Sequence, residues 1–258
     1  MGDTAASATR FVILATQRTG STWLTDMLDS HPAVASYEEL FLPAEDHRKT
    51  WGRSDREFFH EYYDRHVAGR RWPLSVPFFS LRYLEELYAP RPGIEAIGLK
   101  LMYSQVKRYP WLLAYMVLRR VRVLHLVRTN LLDVVVSQET ARARRQYHAY
   151  TSAAVDHSAV DLRTDQLVSQ LQSLQRSVDA IRLLLRLLPA PSLEISYEDL
   201  SSGDDALDDA FEFLGVAPQS VTSRFAKLNR GPKQTLIANY SDVERALRET
   251  PFERFLAE

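Results

Sequence analysis

The sequence predicts a single α/β domain in which a central parallel sheet is flanked by helices. Its 258 residues are 45% hydrophobic and 25% charged, an ordinary globular composition with enough length to bury one large core. Short apolar runs, typical of strands that are buried on both faces of a parallel sheet, alternate with longer segments of helical periodicity. No internal repeat interrupts this alternation. These three observations together favour one α/β domain.

The N-terminus and the composition exclude several classes of protein. Residues 1–10 are small and polar, so we predict a disordered N-terminus before a domain over residues 11–258. The absence of cysteine excludes disulfides, thiolate catalysis and cysteine-ligated metal sites. A formal net charge of -1 gives no field that would collect nucleic acid, and no apolar run approaches the ~18 residues that span a membrane. We therefore expect a soluble, cytoplasmic protein with no nucleic-acid partner and no membrane-spanning segment.

The first predicted strand, residues 11–15, leads into a polar loop and then a helix. The loop contains Gly20, which lets the backbone come close to a ligand, and Arg18, which adds a fixed cation. The hydroxyl residues Thr19, Ser21 and Thr22 surround the predicted helix N-terminus, which carries roughly half a positive charge. The pattern predicts an anion site, with an ordinary polar turn as the alternative. It is not a Walker loop, because no GxxxxGK[ST] can be drawn through it.

The second predicted strand, Val34–Tyr37, ends in the adjacent carboxylates Glu38 and Glu39. Such a pair is either a solvated turn or part of a site. The segment 44–92 that follows is rich in aromatic residues, prolines and charge, with helical periodicity in two places. It is predicted to be an irregular helical insertion, either a cap over a pocket or a satellite core.

The third predicted strand, Ala96–Met102, carries Lys100 within an apolar run. A lone ammonium is costly there unless it faces a partner. Because ligands bind at the carboxyl ends of parallel strands, Lys100 could enter the same crevice as Arg18, whereas an edge strand would let it reach solvent instead. One helix is predicted to follow over residues 103–119.

The fourth predicted strand, residues 121–127, contains His125, which we interpret as a core histidine, and ends in Arg128. A helix begins at Leu131 and carries Ser137, nine residues after the arginine, so about two and a half turns separate the serine from the strand end. Both side chains can reach one phosphate only if the helix runs back alongside it.

The rest of the chain is predicted to alternate in the same way. A long helical pattern covers residues 162–188, a last strand covers 193–197, and an amphipathic helix covers 204–214. The basic loop 227–233, which includes Arg230, is a candidate lid over anions. Its alternative is an ordinary solvated loop.

Three of these segments resemble motifs of the sulfotransferases that use 3′-phosphoadenosine 5′-phosphosulfate (PAPS). Residues 17–23 resemble the family's 5′-phosphosulfate loop, with Arg18 where many members have lysine. Arg128 and Ser137 resemble the 3′-phosphate motif in their spacing, and Tyr197-Glu198-Asp199-Leu200 resembles a segment whose tyrosine lies near the adenine. The resemblance implies the sulfotransferase fold, which is similar to that of P-loop kinases.

The resemblance also implies roles for individual residues. Lys100 would assist at the bridging oxygen, and Glu39 would act as the base for the acceptor hydroxyl, with Glu38 as its close rival. The group implied to bind the donor consists of Arg18, Thr19, Gly20, Ser21, Thr22, Trp23, Arg128, Ser137, Tyr197 and, from the basic loop, Arg230.

The implied reaction is transfer of a sulfuryl group from PAPS to a hydroxyl, which leaves 3′,5′-ADP (PAP) and requires no metal. The first loop and the segment 98–102 look most like bacterial carbohydrate sulfotransferases of the trehalose and nodulation-factor kind, so the acceptor would be a sugar, a glycolipid or another small natural product. A small-molecule kinase of related fold and a non-catalytic phosphonucleotide-binding protein remain as alternatives.

Overall fold

The structure is a computed structural model that describes residues 8–44, 56–67, 69, 72–144, 159–203, 205–225 and 231–257. A parallel sheet has five strands in the order β2-β3-β1-β4-β5, which confirms the predicted α/β class. The strands are β1 Thr9–Ala15, β2 Val34–Tyr37, β3 Ala96–Met102, β4 Arg122–Val127 and β5 Ser192–Ser196. Because β1 lies between β3 and β4, the segments that follow these three strands meet at one carboxyl edge of the sheet.

The helices cover the sheet and extend beyond one edge of it. They are α1 Ser21–Asp29, α2 Phe59–Val67, α3 Ser75–Leu87, α4 Tyr103–Arg108, α5 Trp111–Leu118, α6 Leu131–Arg144, α7 Thr164–Leu187, α8 Tyr197–Ser202, α9 Asp205–Leu214, α10 Lys233–Leu236 and α11 Tyr240–Leu247, with a final 3₁₀ turn at Glu253–Leu256. Within the described ranges, none of these helices combines the length and the apolarity that crossing a membrane would need.

Two apolar clusters lie on opposite faces of the sheet, because successive side chains of β1 point to opposite sides. Val12 and Leu14 belong to a cluster that includes α2, α3 and α5, whereas Phe11 and Ile13 belong to a cluster with α1 and α9. Gly98 on β3 lies where a side chain would overlap the ring of Phe11. A third cluster joins α6, α7 and α11 beyond the sheet.

The described part of the 44–92 insertion packs onto the main core. Phe59 and Tyr83, from α2 and α3, share a cluster with Val12 and Leu99 of the sheet, so these helices do not form a separate satellite core. The same helices also line a cavity. Residues 45–55, 68, 70 and 71 of the insertion lie outside the described residues.

Three predicted boundaries are wrong. The single helix over 103–119 is two helices, because Pro110 lacks an N–H and disfavours helical geometry at Tyr109, whose φ is -123° and ψ 65°. The sheet begins at Thr9, so residues 9 and 10 belong to β1 and not to the N-terminal segment. The last strand ends at Ser196, which caps a short helix by accepting a hydrogen bond from the Asp199 N–H at 2.9 Å.

Candidate functional site

The loop between β1 and α1 has a defined conformation that leads directly into the helix N-terminus. Arg18 and Gly20 both adopt positive φ, 65° and 86°, and the Gly20 carbonyl accepts the first helical hydrogen bond from the Leu24 N–H at 3.1 Å. Thr19 is buried and donates its hydroxyl to the Thr16 carbonyl at 2.9 Å. The loop therefore presents backbone N–H groups next to a cation, which is the arrangement that binds phosphate and sulfate groups.

Gly20 is required in this loop for two reasons. Its φ of 86° is strained for any other residue, and a Cβ at this position would overlap the ring of Tyr197. We expect Gly20→Ala to lower the free energy of unfolding by about 1–3 kcal/mol and to displace Tyr197. The measurement is thermal unfolding together with PAP affinity.

Gly93 provides the matched control for this substitution. Its φ is 76°, but nothing lies within 4 Å of an added Cβ. Gly93→Ala should therefore carry the backbone strain alone, with a smaller loss of stability and unchanged PAP affinity. Equal effects of the two variants would show that the contact with Tyr197 is unimportant.

Arg18, Arg128 and Ser137 meet at the carboxyl edge of the sheet. The Nε of Arg18 donates to Ser137 Oγ at 3.0 Å, and Nη1 of Arg128 lies 3.5 Å from the Arg18 carbonyl oxygen, to which it donates. Helix α6 thus returns past the end of β4, as the nine-residue spacing requires if both side chains are to serve one site. The side chain of Arg128 therefore reaches the loop that carries Arg18.

The guanidinium of Arg128 is almost buried and is held from several sides. Its Nη2 donates to Asp133 Oδ2 at 2.9 Å, and its plane lies over the ring of Tyr197, with Cζ 4.7 Å from the ring centroid. Its Nε is buried and has no hydrogen-bond partner among the described residues, although Glu198 Oε1 lies 3.9 Å away. A buried donor without an acceptor is costly, so this nitrogen is suited to a ligand oxygen.

Two further residues of this cluster were not predicted from the sequence. Glu198 accepts hydrogen bonds from the N–H groups of Thr129 and Asn130, at 3.0 and 3.4 Å, and so fixes the segment that carries Arg128. Lys233 is buried, and its Nζ lies 3.7 Å from Asp133 Oδ1. The basic loop was the only signal for Lys233. Arg230 of that loop lies outside the described residues.

Lys100 connects residues 16–22, which we call the anion loop, to the two carboxylates that follow β2. Its Nζ donates to Thr22 Oγ1 at 2.9 Å, forms an ion pair with Glu38 and lies 3.2 Å from Glu39 Oε1. The lysine is fully enclosed, with 3% of its side chain exposed, whereas 21% of Glu39 is exposed. The carboxylates supply the partners that a buried ammonium needs, so they are not a solvated turn.

The pKa values in this cluster follow from burial and pairing. Burial raises the pKa of Glu38 above its ordinary value, and the attraction to Lys100 only partly offsets that rise. Burial alone would lower the pKa of Lys100, but Glu38 and Glu39 outweigh it and raise the pKa. Lys100 therefore stays protonated at neutral pH.

Gln105 fixes the orientation of Glu39 and was not predicted from the sequence. Its Nε2 donates to Glu39 Oε2 at 3.2 Å, and its Oε1 accepts from the Met102 N–H at 3.0 Å. Gln105 is buried in the first turn of α4, so its amide has little freedom to move. The other oxygen of Glu39, Oε1, lies near Lys100, so the carboxylate is held between Gln105 of α4 and Lys100 of β3.

Trp23 and Tyr197 lie next to each other beside the anion loop. Their rings are edge to face, with centroids 5.9 Å apart and an interplanar angle of 65°. A pair at this angle does not form two parallel walls, so a flat ligand could not be sandwiched between the two rings.

His125 lies in the core, as the sequence analysis interpreted it. It is buried in the middle of β4, with Nε2 2.6 Å from the Tyr103 hydroxyl and Nδ1 3.0 Å from Glu194 Oε2. Burial lowers its pKa, and the nearby Glu194 only partly offsets this effect. No group of three or more His, Asp or Glu side chains suited to a metal ion is found along the described chain.

Comparisons with known proteins point to one family. A family model described as "Sulfotransferase family" matches residues 10–217, which is most of the chain. Among solved structures, the chain is similar to a sulfotransferase from Alicyclobacillus acidocaldarius, with 13% identity, a TM-score of 0.50, and coverage of 97% of this chain and 99% of that one. It is also similar to the sulfotransferase domain of the olefin synthase of Synechococcus PCC 7002, with 17% identity, a TM-score of 0.42, and coverage of 96% and 90%. No curated protein matches the chain.

Proposed function

Because the chain belongs to the sulfotransferase family, we propose that it moves a sulfuryl group from PAPS to a hydroxyl of a small-molecule acceptor. The observation that carries the proposal is the contact between the anion loop and the carboxylate pair through one buried lysine. Lys100 donates to Thr22 of the loop and pairs with Glu38 and Glu39. Such a contact supports the proposal because group transfer requires a charged donor and a base for the hydroxyl at one point.

The residues proposed to bind the nucleotide suit a donor that carries phosphates at both the 3′ and the 5′ position of its ribose. Arg18 and the N–H groups at the start of α1 suit the 5′-phosphosulfate. Arg128, whose Nε is buried without a hydrogen-bond partner in the described part of the chain, suits the 3′-phosphate. Ser137, whose Oγ accepts a hydrogen bond from Arg18 Nε at 3.0 Å, is assigned to the same phosphate by its spacing from Arg128. The side chain of Lys233 adds positive charge on the same side. Three cations near one another favour an anionic nucleotide and reduce the need for a metal ion.

When bound, PAPS supplies a sulfuryl group that is transferred in line between two oxygens. Arg18 and the backbone N–H groups of residues 19–22 stabilise the negative charge of the 5′-phosphate as it leaves. Lys100 donates a hydrogen bond to the bridging oxygen after its ammonium group turns away from Glu38 and Glu39. Trp23 and Tyr197 contact the adenine, where stacking on an aromatic ring contributes about 1–3 kcal/mol. Arg128 and Ser137 orient the nucleotide and distinguish it from ATP, which lacks the 3′-phosphate.

Glu39 takes the proton of the acceptor hydroxyl. Its side chain is the more exposed of the two carboxylates, 21% against 15%, and Gln105 holds one of its oxygens. Glu38 makes the closer ion pair with Lys100 and balances its charge. The proposal is for a cytoplasmic enzyme that needs no bound metal and acts on a hydroxylated small molecule; the sequence resemblance alone suggests carbohydrates and other natural products as acceptor classes.

Thermal unfolding with matched nucleotides tests this function. PAP at about 100 times its dissociation constant should stabilise the protein by about 2.7 kcal/mol, which raises Tm by about 5–10 °C. AMP, which lacks only the 3′-phosphate, and ATP with magnesium should each give a much smaller shift. A larger shift with ATP and magnesium would favour a kinase. A shift with PAP but no sulfated product from any acceptor would favour a non-catalytic binding protein, and loss of turnover with EDTA would contradict the metal-free account.

A further inference from the structure

A cavity of about 640 Å³ lies between the insertion and the helices that follow β3. Small-molecule sites usually have volumes of about 300–1,000 Å³, so this cavity is large enough for a ligand of several rings. Its walls are mainly aromatic and aliphatic side chains from α2, α3, α5 and the adjoining segments, among them Phe59, Tyr63, Leu74, Val76, Tyr109 and Trp111.

Hydrogen bonds link two walls of the cavity to the segment that carries the carboxylate pair. The Phe59 N–H donates to the carbonyl of Leu40, the residue after Glu39, at 2.9 Å. On the other side, Gln105 donates to Glu39, and the Tyr109 N–H donates to the Gln105 carbonyl at 2.8 Å. Phe59 of the cavity wall is thus bonded to the residue that follows Glu39, and Tyr109 of the wall is bonded to the glutamine that contacts Glu39.

The cavity walls are mainly apolar, although His60 and Arg108 also line the cavity. The indole N–H of Trp111 donates to Ser80 Oγ at 2.6 Å, and the Tyr63 hydroxyl lies 2.7 Å from Ser75 Oγ. These contacts satisfy the polar ends of both side chains within the protein, so their rings are left to contact a ligand. No carboxylate lines the cavity among the described residues.

Apolar surface continues from the cavity to the outside of the protein. Trp72, Leu74 and Phe78 are 45%, 68% and 54% exposed, and the rings of Trp72 and Phe78 are 6.1 Å apart. Single exposed apolar residues need no explanation, but a group at the edge of an apolar cavity indicates a ligand site. Arg108 is the cation of this site: it lines the cavity, with its Cζ 5.7 Å from the Tyr109 ring centroid.

We propose that this cavity binds the body of the acceptor, and that the acceptor is an aromatic or alkyl-substituted alcohol or phenol and not a simple sugar. This inference rests on the proposed function. The acceptor oxygen forms a bond to sulfur as the bond from sulfur to the donor's phosphate oxygen breaks. The acceptor proton goes to Glu39, and PAP leaves with the electron pair. An acidic group on the acceptor body binds Arg108.

The test compares an aromatic acceptor with a sugar in the full-length protein. The wild-type protein should sulfate 2-naphthol with saturable kinetics in the presence of PAPS, and it should turn over glucose and trehalose far more slowly. Val76→Trp, which fills the cavity from α3, should raise KM for 2-naphthol by about tenfold or more. Val117→Trp is the matched control, because Val117 is also a half-buried helical valine but does not line the cavity. It should leave KM unchanged.

Arg108 is tested with a second ligand pair. 6-Hydroxy-2-naphthoate should bind more tightly than 2-naphthol, and Arg108→Gln should remove that difference without changing the binding of 2-naphthol itself. Turnover of trehalose without turnover of 2-naphthol, or equal KM values for Val76→Trp and the wild type, would overturn the inference.

Calorimetric binding of 2-naphthol separates this inference from the proposed function. If PAP fails to stabilise the protein but 2-naphthol binds and Val76→Trp abolishes that binding, the donor assignment fails and the cavity assignment holds. If PAP stabilises the protein and 2-naphthol does not bind with or without PAP, the cavity assignment fails alone.

Discussion

Glu39→Gln is expected to lower kcat by about 10²- to 10⁴-fold while PAP affinity stays within about twofold, because general base catalysis typically contributes that much. The substitution keeps the shape of the side chain but removes the site that accepts the proton. Lys100 retains Glu38 as its ion-pair partner, so the buried ammonium is still compensated. The measurement is steady-state sulfation of a saturating acceptor, with PAP titration and thermal unfolding on the same variant.

Glu38→Gln is the comparison that assigns the base. It removes the closer partner of Lys100 and leaves Glu39 and Gln105 in contact. We expect a moderate loss of stability and a much smaller loss of kcat than in Glu39→Gln. A larger loss of kcat in Glu38→Gln would make Glu38 the base, which is chemically reasonable because burial raises its pKa.

Arg128→Ala is expected to weaken PAP binding by about 30-fold or more, since truncating one member of a buried charge pair costs at least about 2 kcal/mol. Affinity for AMP, which lacks only the 3′-phosphate, should change far less. The expected signature is a large rise in the KM for PAPS with a small change in kcat at saturation. Isothermal titration of PAP and AMP into the same variant measures both effects.

Arg119→Ala provides the control for a lost arginine. Arg119 also forms an ion pair, with its Nε 2.7 Å from Glu85 Oε1, but it follows α5 at the opposite end of β4. Its removal should leave PAP affinity unchanged. PAP affinity in Arg128→Ala equal to that of the wild type would remove Arg128 from the donor site, whatever its effect on Tm.

Prediction from sequence succeeds where the signal is local. The apolar run of Ala96–Met102 is a strand because its residues must be buried on both faces, and the break after Ala15 is a loop because Gly20 and its polar neighbours interrupt the pattern. The same local reasoning fails at Pro110, where helical periodicity on both sides conceals a break. The donor-binding roles of the residues in the first loop remain predictions.

Contacts between distant parts of the chain could not be read from any local pattern. Gln105 and Glu39 are separated by 66 residues, and Arg18 and Ser137 by 119. A glutamine in the first turn of a helix is ordinary in sequence, and only the tertiary contact between α4 and the segment after β2 makes it the partner of a carboxylate. The cavity has the same origin, because its walls come from segments that meet only after the insertion has packed on the sheet.

The sequence by itself determined the alternation of strands and helices, the polar loop after β1 and the spacing of Arg128 and Ser137, because each depends on side-chain periodicity or on neighbours within a few turns. The tertiary structure decided which charges share a site. It paired Lys100 with Glu38 and Glu39, placed Glu198 behind Arg128 and formed an open, mainly apolar cavity against the helices of the insertion. These arrangements depend on the order of strands in the sheet and on burial, which bring together residues that no sequence interval connects.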